Sequence, residues 1–272
     1  MTYSLTQRLE IAITIAEEAG RMIVQARKEH SFGQRLKGGD ELVTDADVTV
    51  DRLIRERLQA HFPGETLLSE ELSPDQQQLD APALWVVDPI DGTVNFANGL
   101  RHVAVSIGWL EKGVGKVGVV HAPFLQETFA ATKGQGATLN GEPIQPSDAT
   151  ELSHTLVATG FPYQKVDREA LLTRLSAVLS QCQDIRRNGS AALDLCDVAC
   201  GRLDAYYESV SPWDIAAGWL IAREAGASAA HLSSIPDGVP RDLYSRHLLV
   251  TAPGVHEAMK ALLLDADAQR PA

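Results

Sequence analysis

Apolar residues recur at three- and four-residue intervals through Leu5, Leu9, Ala12, Ala16, Ile23 and Ala26, which predicts an amphipathic helix ending before Ser31-Phe32-Gly33. A second helix is expected to follow at once, over residues 45–61. Val50, Leu53, Ile54 and Leu58 form its apolar face, Thr44 or Asp45 can cap its start, and Pro63-Gly64 stops it. The period then shortens. Residues 66–69, 84–87, 103–109, 117–120 and 128–131 are short β-rich runs between turn residues, and Asn140-Gly141 signals a hairpin. Beyond it the expected order is a strand over 155–159, helices over 168–181 and 190–201, a strand over 205–207, and a helix over 213–225 with Gly226 just past its end. Helices flank short strands without strict βαβ repetition, so the pattern predicts a layered α/β fold. With no internal repeat and no Pro/Gly/Ser-rich linker, one domain is expected over residues 1–265, followed by a frayed tail over 266–272.

Composition narrows the class of partner. The 272 residues are 44% hydrophobic, ample for a buried core, and 24 Lys+Arg against 36 Asp+Glu give a net charge of −12. Such a chain repels a phosphate backbone, so direct nucleic-acid binding is not expected. Cys182, Cys196 and Cys200 neither pair off nor show zinc spacing, which fits a reducing cytoplasm. Glu10, Glu17 and Glu18 interrupt the first apolar pattern, against an export signal, and no run of about 18 uncharged apolar residues is present for a membrane span.

Some motifs mislead. Gly113, Gly115 and Gly118 fit G-x-G-x-x-G but join two strands with no helix after them, so a hairpin is expected instead of a dinucleotide site. Cys196 and Arg202 fit the C-x5-R of thiolate phosphatases, yet the residues between them continue a helical pattern, which makes Cys196 a small buried hydrophobe. His102, His121 and His154 form no metal-binding pair.

The acids are more informative. Leu84-Trp-Val-Val-Asp88-Pro89-Ile90-Asp91-Gly92-Thr93 ends an apolar strand in two carboxylates, where Pro89 and Gly92 are expected to force a turn that sends both acids to one exit. A helix start there frees the Gly92 and Thr93 N–H groups for an anion. An acid pair beside an anion cradle needs a cation, and oxygen donors without His or Cys point to Mg2+. Ser69-Glu70-Glu71 ends another strand, Asp45 and Asp47 sit at a helix start, and Trp213-Asp214 opens a helix near Gly189-Ser190-Ala191. Four acidic features at element ends suit a multi-metal phosphoryl-transfer site.

Val86-Val87-Asp88-Pro89-Ile90-Asp91-Gly92-Thr93-Val94-Asn95-Phe96 and Trp213-Asp214-Ile215-Ala216-Ala217-Gly218 resemble the two signature motifs of the inositol monophosphatase family. Leu42 to Asp47, Ser69-Glu70-Glu71, Leu139 to Pro143 and Gly160-Phe161-Pro162-Tyr163 fall in family order, so the resemblance covers nearly the whole chain. It implies an αβαβα sandwich and a lithium-sensitive, homodimeric phosphomonoesterase using two to three Mg2+ ions on inositol monophosphate or a similar polyol or sugar phosphate. By the same resemblance, Glu70, Asp88 and the Ile90 carbonyl hold one ion, Asp88, Asp91 and Asp214 a second, and a third leans on Glu70. Thr93 and Glu70 then orient an attacking water, Asp47 supports Thr93, and the Gly92 and Thr93 N–H groups cradle the phosphate. Asp214 aids the leaving alkoxide, while Asp91, Gly189, Ser190, Ala191 and Glu208 meet the substrate. A family lysine corresponds to Lys37 or Arg35.

Other readings stay open at this level. Asp88-Pro-Ile-Asp91-Gly-Thr93 is also similar to the D-x-D-G-T of haloacid-dehalogenase-like phosphatases, in which the first aspartate is the nucleophile. Within the family, fructose 1,6-bisphosphate, histidinol phosphate and 3′-phosphoadenosine 5′-phosphate are alternative substrates. A regulatory interaction protein retaining the phosphatase fold is a further class.

Overall fold

Two helices open the chain, α1 (Leu5–Glu29) and α2 (Asp45–His61), and a two-stranded antiparallel hairpin of β1 (Gln34–Lys37) and β2 (Glu41–Thr44) lies between them. The hairpin replaces the direct helix-to-helix passage expected from the sequence. Its strands are four residues long and mostly polar, so backbone pairing defines them and no side-chain period does. The computed structural model describes residues 3–30, 32–37, 41–73, 79–161 and 168–269. Ser31, Gly38, Gly39, Pro162, Tyr163, the side chain of Lys37 and residues 270–272 lie outside the described residues.

β3 (Thr66–Ser69) and β4 (Ala83–Asp91) lead into the short α3 (Thr93–Ala97), and β5 (Ala104–Glu111), β6 (Val114–Ala122), β7 (Glu127–Thr132), β8 (Ala137–Leu139) and β9 (Glu142–Pro143) follow. The strands form a seven-stranded sheet in chain order, β3 to β9. The second half supplies β10 (Leu156–Thr159), α4 (Arg168–Gln181), β11 (Asp184–Arg186), α5 (Ala191–Ala199), β12 (Ala205–Glu208), α6 (Pro212–Ile215), α7 (Gly218–Ala225), β13 (Ser228–His231), β14 (Leu248–Thr251) and α8 (His256–Ala268). Its strands make a five-stranded mixed sheet ordered β11-β10-β12-β14-β13.

Strand alternation explains the layering. Trp85 and Val87 of β4, with Val105, Ile107 and Trp109 of β5, pack under the apolar faces of α1 and α2. Leu84 and Val86 point the other way, and Val120 and Phe129 on that side meet α5 and α7, which also cover Tyr206 and Val250 of the second sheet. Val157, Tyr207 and Leu249 on its far face meet Val178 of α4 and Met259 and Leu263 of α8. The result is the αβαβα sandwich that the resemblance implies.

Both hairpin signals hold. Lys112 and Gly113 turn β5 into β6 with φ of 51° and 74°, and Asn140 and Gly141 turn β8 into β9 with φ of 51° and 86°, the two left-handed residues that such turns require. The helix expected over 213–225 is broken into α6 and α7. Between them Ala216 and Ala217 press on the sheet, where a Cβ on Gly108 would lie 2.9 Å from Ala216 and one on Gly118 would lie 2.8 Å from the Ala217 carbonyl oxygen. Of the tail expected over 266–272, residues 266–268 continue α8, where Ala266 is buried and Asp267 pairs with Arg174.

Candidate active site

In a regular strand two residues three apart point to opposite faces, so Asp88 and Asp91 should diverge. The register between β4 and β5 instead steps from Asp88 opposite Ser106 to Asp91 opposite Ala104, a bulge of one residue that contains Pro89. Pro89 therefore bends the strand without ending it, and both carboxylates reach the same side. Asp88, Asp91 and Asp214 each offer an oxygen within 4.8 Å of the others.

Each acid is held. Asp91 Oδ2 accepts the Ser190 hydroxyl at 2.6 Å and the Ala192 N–H at 2.7 Å, at the start of α5. Asp214 Oδ2 accepts the Ser211 N–H at 2.7 Å in the first turn of α6, and Asp88 Oδ1 accepts the Ile90 N–H at 3.0 Å. Glu70 follows β3 with its N–H on the Val87 carbonyl at 3.2 Å. Asp51, fully buried on α2, fixes that turn by accepting the Glu71 and Leu72 N–H groups at 3.2 and 2.9 Å.

Burial, followed by repulsion from Glu70, Asp91 and Asp214, pushes Asp88 well above the usual carboxylate range. Burial also pushes Asp91 up to about 6 and Asp214 up to about 8. Asp88 and Asp214 face each other closely enough that each shifts the other's titration. Buried carboxylates that cannot all ionise together, offering oxygen alone, fit a hard divalent cation such as Mg2+.

Thr93 stands beside this cluster at the start of α3. Its hydroxyl lies 2.9 Å from Asp47 Oδ1 and 3.1 Å from the Ile90 carbonyl oxygen, either of which can accept its hydrogen bond. Asp47 Oδ2 is fixed by the Thr44 N–H at 2.8 Å and hydroxyl at 2.5 Å, and burial pushes its carboxyl up. Gly92 has a φ of 93°, and a Cβ there would lie 2.7 Å from the His102 carbonyl oxygen, so the turn excludes a side chain.

Glu70, Asp88, Ile90, Asp91, Gly92, Thr93, Gly189, Ser190, Ala191, Glu208 and Asp214 line one cavity of about 520 Å³. Asp47 reaches it through Thr93. Glu208 Oε2 accepts the Tyr206 hydroxyl at 2.7 Å, and burial pushes Glu208 up to about 7. Asp45 stays outside: it accepts the Gly33 N–H at 3.2 Å on the surface and pairs with Arg35 at 3.9 Å. Cys196 is buried in α5 with its thiol pushed well above its usual range by that burial, the opposite of a reactive thiolate.

Sequence reasoning missed two supports. Asn95 Nδ2 donates to the carbonyls of His102 and Asn188, each at 2.8 Å, and so ties α3 to the Gly189-Ser190 turn. Asn95 sits inside the quoted motif, but Asn188, one of its two partners, lies 93 positions along the chain. Asp51 reads as one more charge on a helix face, and only the tertiary fold buries it.

The sequence model of the inositol monophosphatase family matches residues 4–269. An inositol-1-monophosphatase of Synechocystis is 40% identical over 264 residues, covering 94% of this chain and 88% of its own. The Nus factor SuhB of Escherichia coli is 37% identical over 260 residues, covering 94% and 96%. Among solved structures, inositol monophosphatase from Anabaena superposes with a TM-score of 0.82 at 34% identity, covering 96% of each chain. The extragenic suppressor protein suhB of Bartonella henselae gives 0.85 at 31%, covering 93% and 97%. These matches set aside the haloacid-dehalogenase-like alternative.

Proposed function

Because the chain belongs to the inositol monophosphatase family, we propose that it is a Mg2+-dependent phosphomonoesterase acting on inositol monophosphate or a similar small polyol or sugar phosphate. The observation that carries this reading is the convergence of buried Asp88 and Asp91 and half-buried Asp214 within 4.8 Å beside the Asp47–Thr93 pair. Two to three Mg2+ ions, held by Glu70, Asp88, the Ile90 carbonyl, Asp91 and Asp214, would supply the Lewis acidity that activates water and offsets phosphate charge. Thr93, oriented by Asp47, and Glu70 direct the attacking water in line with phosphorus. The Gly92 and Thr93 N–H groups hold phosphate oxygens as charge shifts onto the leaving group. Asp214 stands on the leaving side to assist its protonation, and Asp91, Gly189, Ser190, Ala191 and Glu208 meet the hydroxyls of the alcohol.

A panel of inositol 1-phosphate, fructose 1,6-bisphosphate, histidinol phosphate and 3′-phosphoadenosine 5′-phosphate, compared by kcat/KM with Mg2+, tests the reading. Highest kcat/KM on inositol 1-phosphate supports it, and no phosphate release from any of them contradicts it. Thr93→Ala is expected to lower kcat by roughly ten- to a thousandfold with KM moving less, since it removes a water-orienting hydroxyl. Wild-type kcat in that variant reduces Thr93 to a structural contact with Asp47. Gly160→Ala would place a Cβ 2.0 Å from Glu208 Oε1 and displace that carboxylate. Its kcat/KM is expected to fall by about tenfold or more through misplacement of the substrate wall, and steady-state kinetics at wild-type level would show that Glu208 has no part in binding.

A homodimer fits Leu100, Leu172 and Leu179, apolar and more than half exposed. Among the described residues no helix is long and apolar enough to cross a membrane, and a cytoplasmic location is proposed. A second, regulatory reading is favoured by the relatives named Nus factor SuhB. The expectation of no nucleic-acid partner rested on net charge alone, and with such relatives it is withdrawn.

A further inference from the structure

β13 and β14 pair antiparallel with His231 opposite Leu248, a connection that about two to five residues can close. Residues 232–247 are used instead, and their course is bound at two places. At the first, Pro240 lies against Gly113, where a Cβ would come within 2.9 Å of the proline Cβ. Buried Asp242 follows, accepting the Gly115 N–H of β6 at 3.0 Å and Arg223 Nη1 of α7 at 2.9 Å.

At the second place the connection clasps residues 209–211, which join Glu208 at the end of β12 to α6 and its Asp214. Val210 is held by both of its backbone groups. Its N–H donates to the Ser245 carbonyl at 2.9 Å, and its carbonyl accepts the hydroxyl of buried Ser245 at 2.7 Å. The His247 N–H donates to Ser209 Oγ at 2.9 Å, and its carbonyl accepts the Leu232 N–H at 2.8 Å. His247 has a φ of 50°, a left-handed conformation that a side chain disfavours and that persists where surrounding bonds dictate it.

The Ser211 N–H donates to Asp214 Oδ2 at 2.7 Å. The Val210 carbonyl and the Ser211 N–H are the two ends of one planar peptide unit, so a hydroxyl fixed on the first sets the direction of the second. Ser245 hydroxyl, Val210 carbonyl, Ser211 N–H and Asp214 carboxylate also form a chain polarised in one sense, in which each hydrogen bond strengthens the next.

We propose that Ser245 is a positioning residue that aims Asp214 through the Val210–Ser211 peptide. The proposal rests on the phosphomonoesterase reading for the use it gives Asp214, and it extends the site to a residue that does not line the cavity.

Ser245→Ala tests it, because the substitution removes the hydroxyl and leaves the backbone bond between Val210 and Ser245 in place. Hydrogen exchange of the Ser211 amide, read by NMR in chelator, should quicken about three- to tenfold, the scale of one hydrogen bond, while the amides of α1 keep their wild-type rates. Mn2+ affinity, read by electron paramagnetic resonance, should fall by a similar factor. In an Asp214→Asn background Ser245→Ala should lower that affinity no further, because the residue it acts through is already replaced. Ser233→Ala, in the same connection but with its hydroxyl 3.3 Å from Tyr244, should change neither readout. Where Asp214→Asn weakens Mn2+ binding, unchanged Ser211 exchange or unchanged Mn2+ affinity in Ser245→Ala, or an equal loss in the Asp214→Asn background, overturns the proposal. If Asp214→Asn binds Mn2+ as the wild type does, it is the cation reading that fails, and exchange at Ser211 then decides the positioning by itself.

Discussion

Asp88→Asn is expected to lower kcat at least about a thousandfold in saturating Mg2+, and chelation of the wild-type protein to abolish phosphate release until Mg2+ is restored. Asp88 is the carboxylate that the other acids surround: burial and the charges of Glu70, Asp91 and Asp214 all raise it. On the proposed metal-assisted route, an amide there would remove a negative ligand from the position that two cations would share. A thousandfold loss corresponds to about 4 kcal/mol of transition-state stabilisation, the scale expected for losing one strong electrostatic contact in a water-poor site. Cys196→Ser should change turnover little, because the thiol is buried in α5 and does not line the cavity. Full activity in chelator, or loss of activity in Cys196→Ser with Mg2+ present, contradicts the metal-assisted route.

The same substitution is expected to act in the opposite direction on stability. Without cations the buried acids repel one another, so Asp88→Asn should melt no lower than the wild type in chelator, and above it wherever the carboxylates ionise. The pH dependence has a definite sign. Asp91 is raised to about 6 and Asp214 to about 8 from an ordinary 3.8, so the folded apo protein holds more protons than the unfolded chain between these values. Stability is then lost as pH rises from about 4 through 8, and acidifying apo protein from pH 8 to pH 6 should raise its Tm, less so in Asp88→Asn. Mg2+ at a hundred times Kd should add about 2.7 kcal/mol to the wild type, a shift of roughly 5 to 10 °C, and much less to the variant. Melting curves of both proteins with and without Mg2+ measure this. Strong destabilisation of apo Asp88→Asn, with equal Mg2+ shifts in both proteins, would make Asp88 a structural turn residue.

Legibility in the sequence followed the range of the interactions involved. The helical period of α1 and α2, the cap-and-stop residues of α2 and the left-handed turns at Lys112-Gly113 and Asn140-Gly141 are local, and all are readable. β11, with exposed Asp184 and Arg186, has no apolar face to announce it and exists through pairing with β10. β1 and β2 were hidden for the same reason. The acids of the site were legible as residues, and the resemblance ordered them, but the device that aims them was misjudged. Pro89 was expected to end a strand, whereas it sits in a bulge that restores Asp88 and Asp91 to one side. Ser190, quoted for its place in a turn, also donates a 2.6 Å hydrogen bond to Asp91 from 99 positions away. Asn95 lies inside the quoted motif, but its tie to Asn188, like the partners of Asp51, is assembled only by the fold.

The central claim is that Glu70, Asp88, Asp91, Asp214 and the Ile90 carbonyl together hold the cations. Crystals soaked in Mn2+, a hard-ligand substitute for Mg2+ visible by anomalous scattering, test it most directly. At least two anomalous peaks are predicted, roughly 3.5 to 4 Å apart with Asp88 between them, and Asp88→Asn should weaken both. Peaks elsewhere on this acidic surface, with none among these residues at saturating Mn2+, would contradict the account.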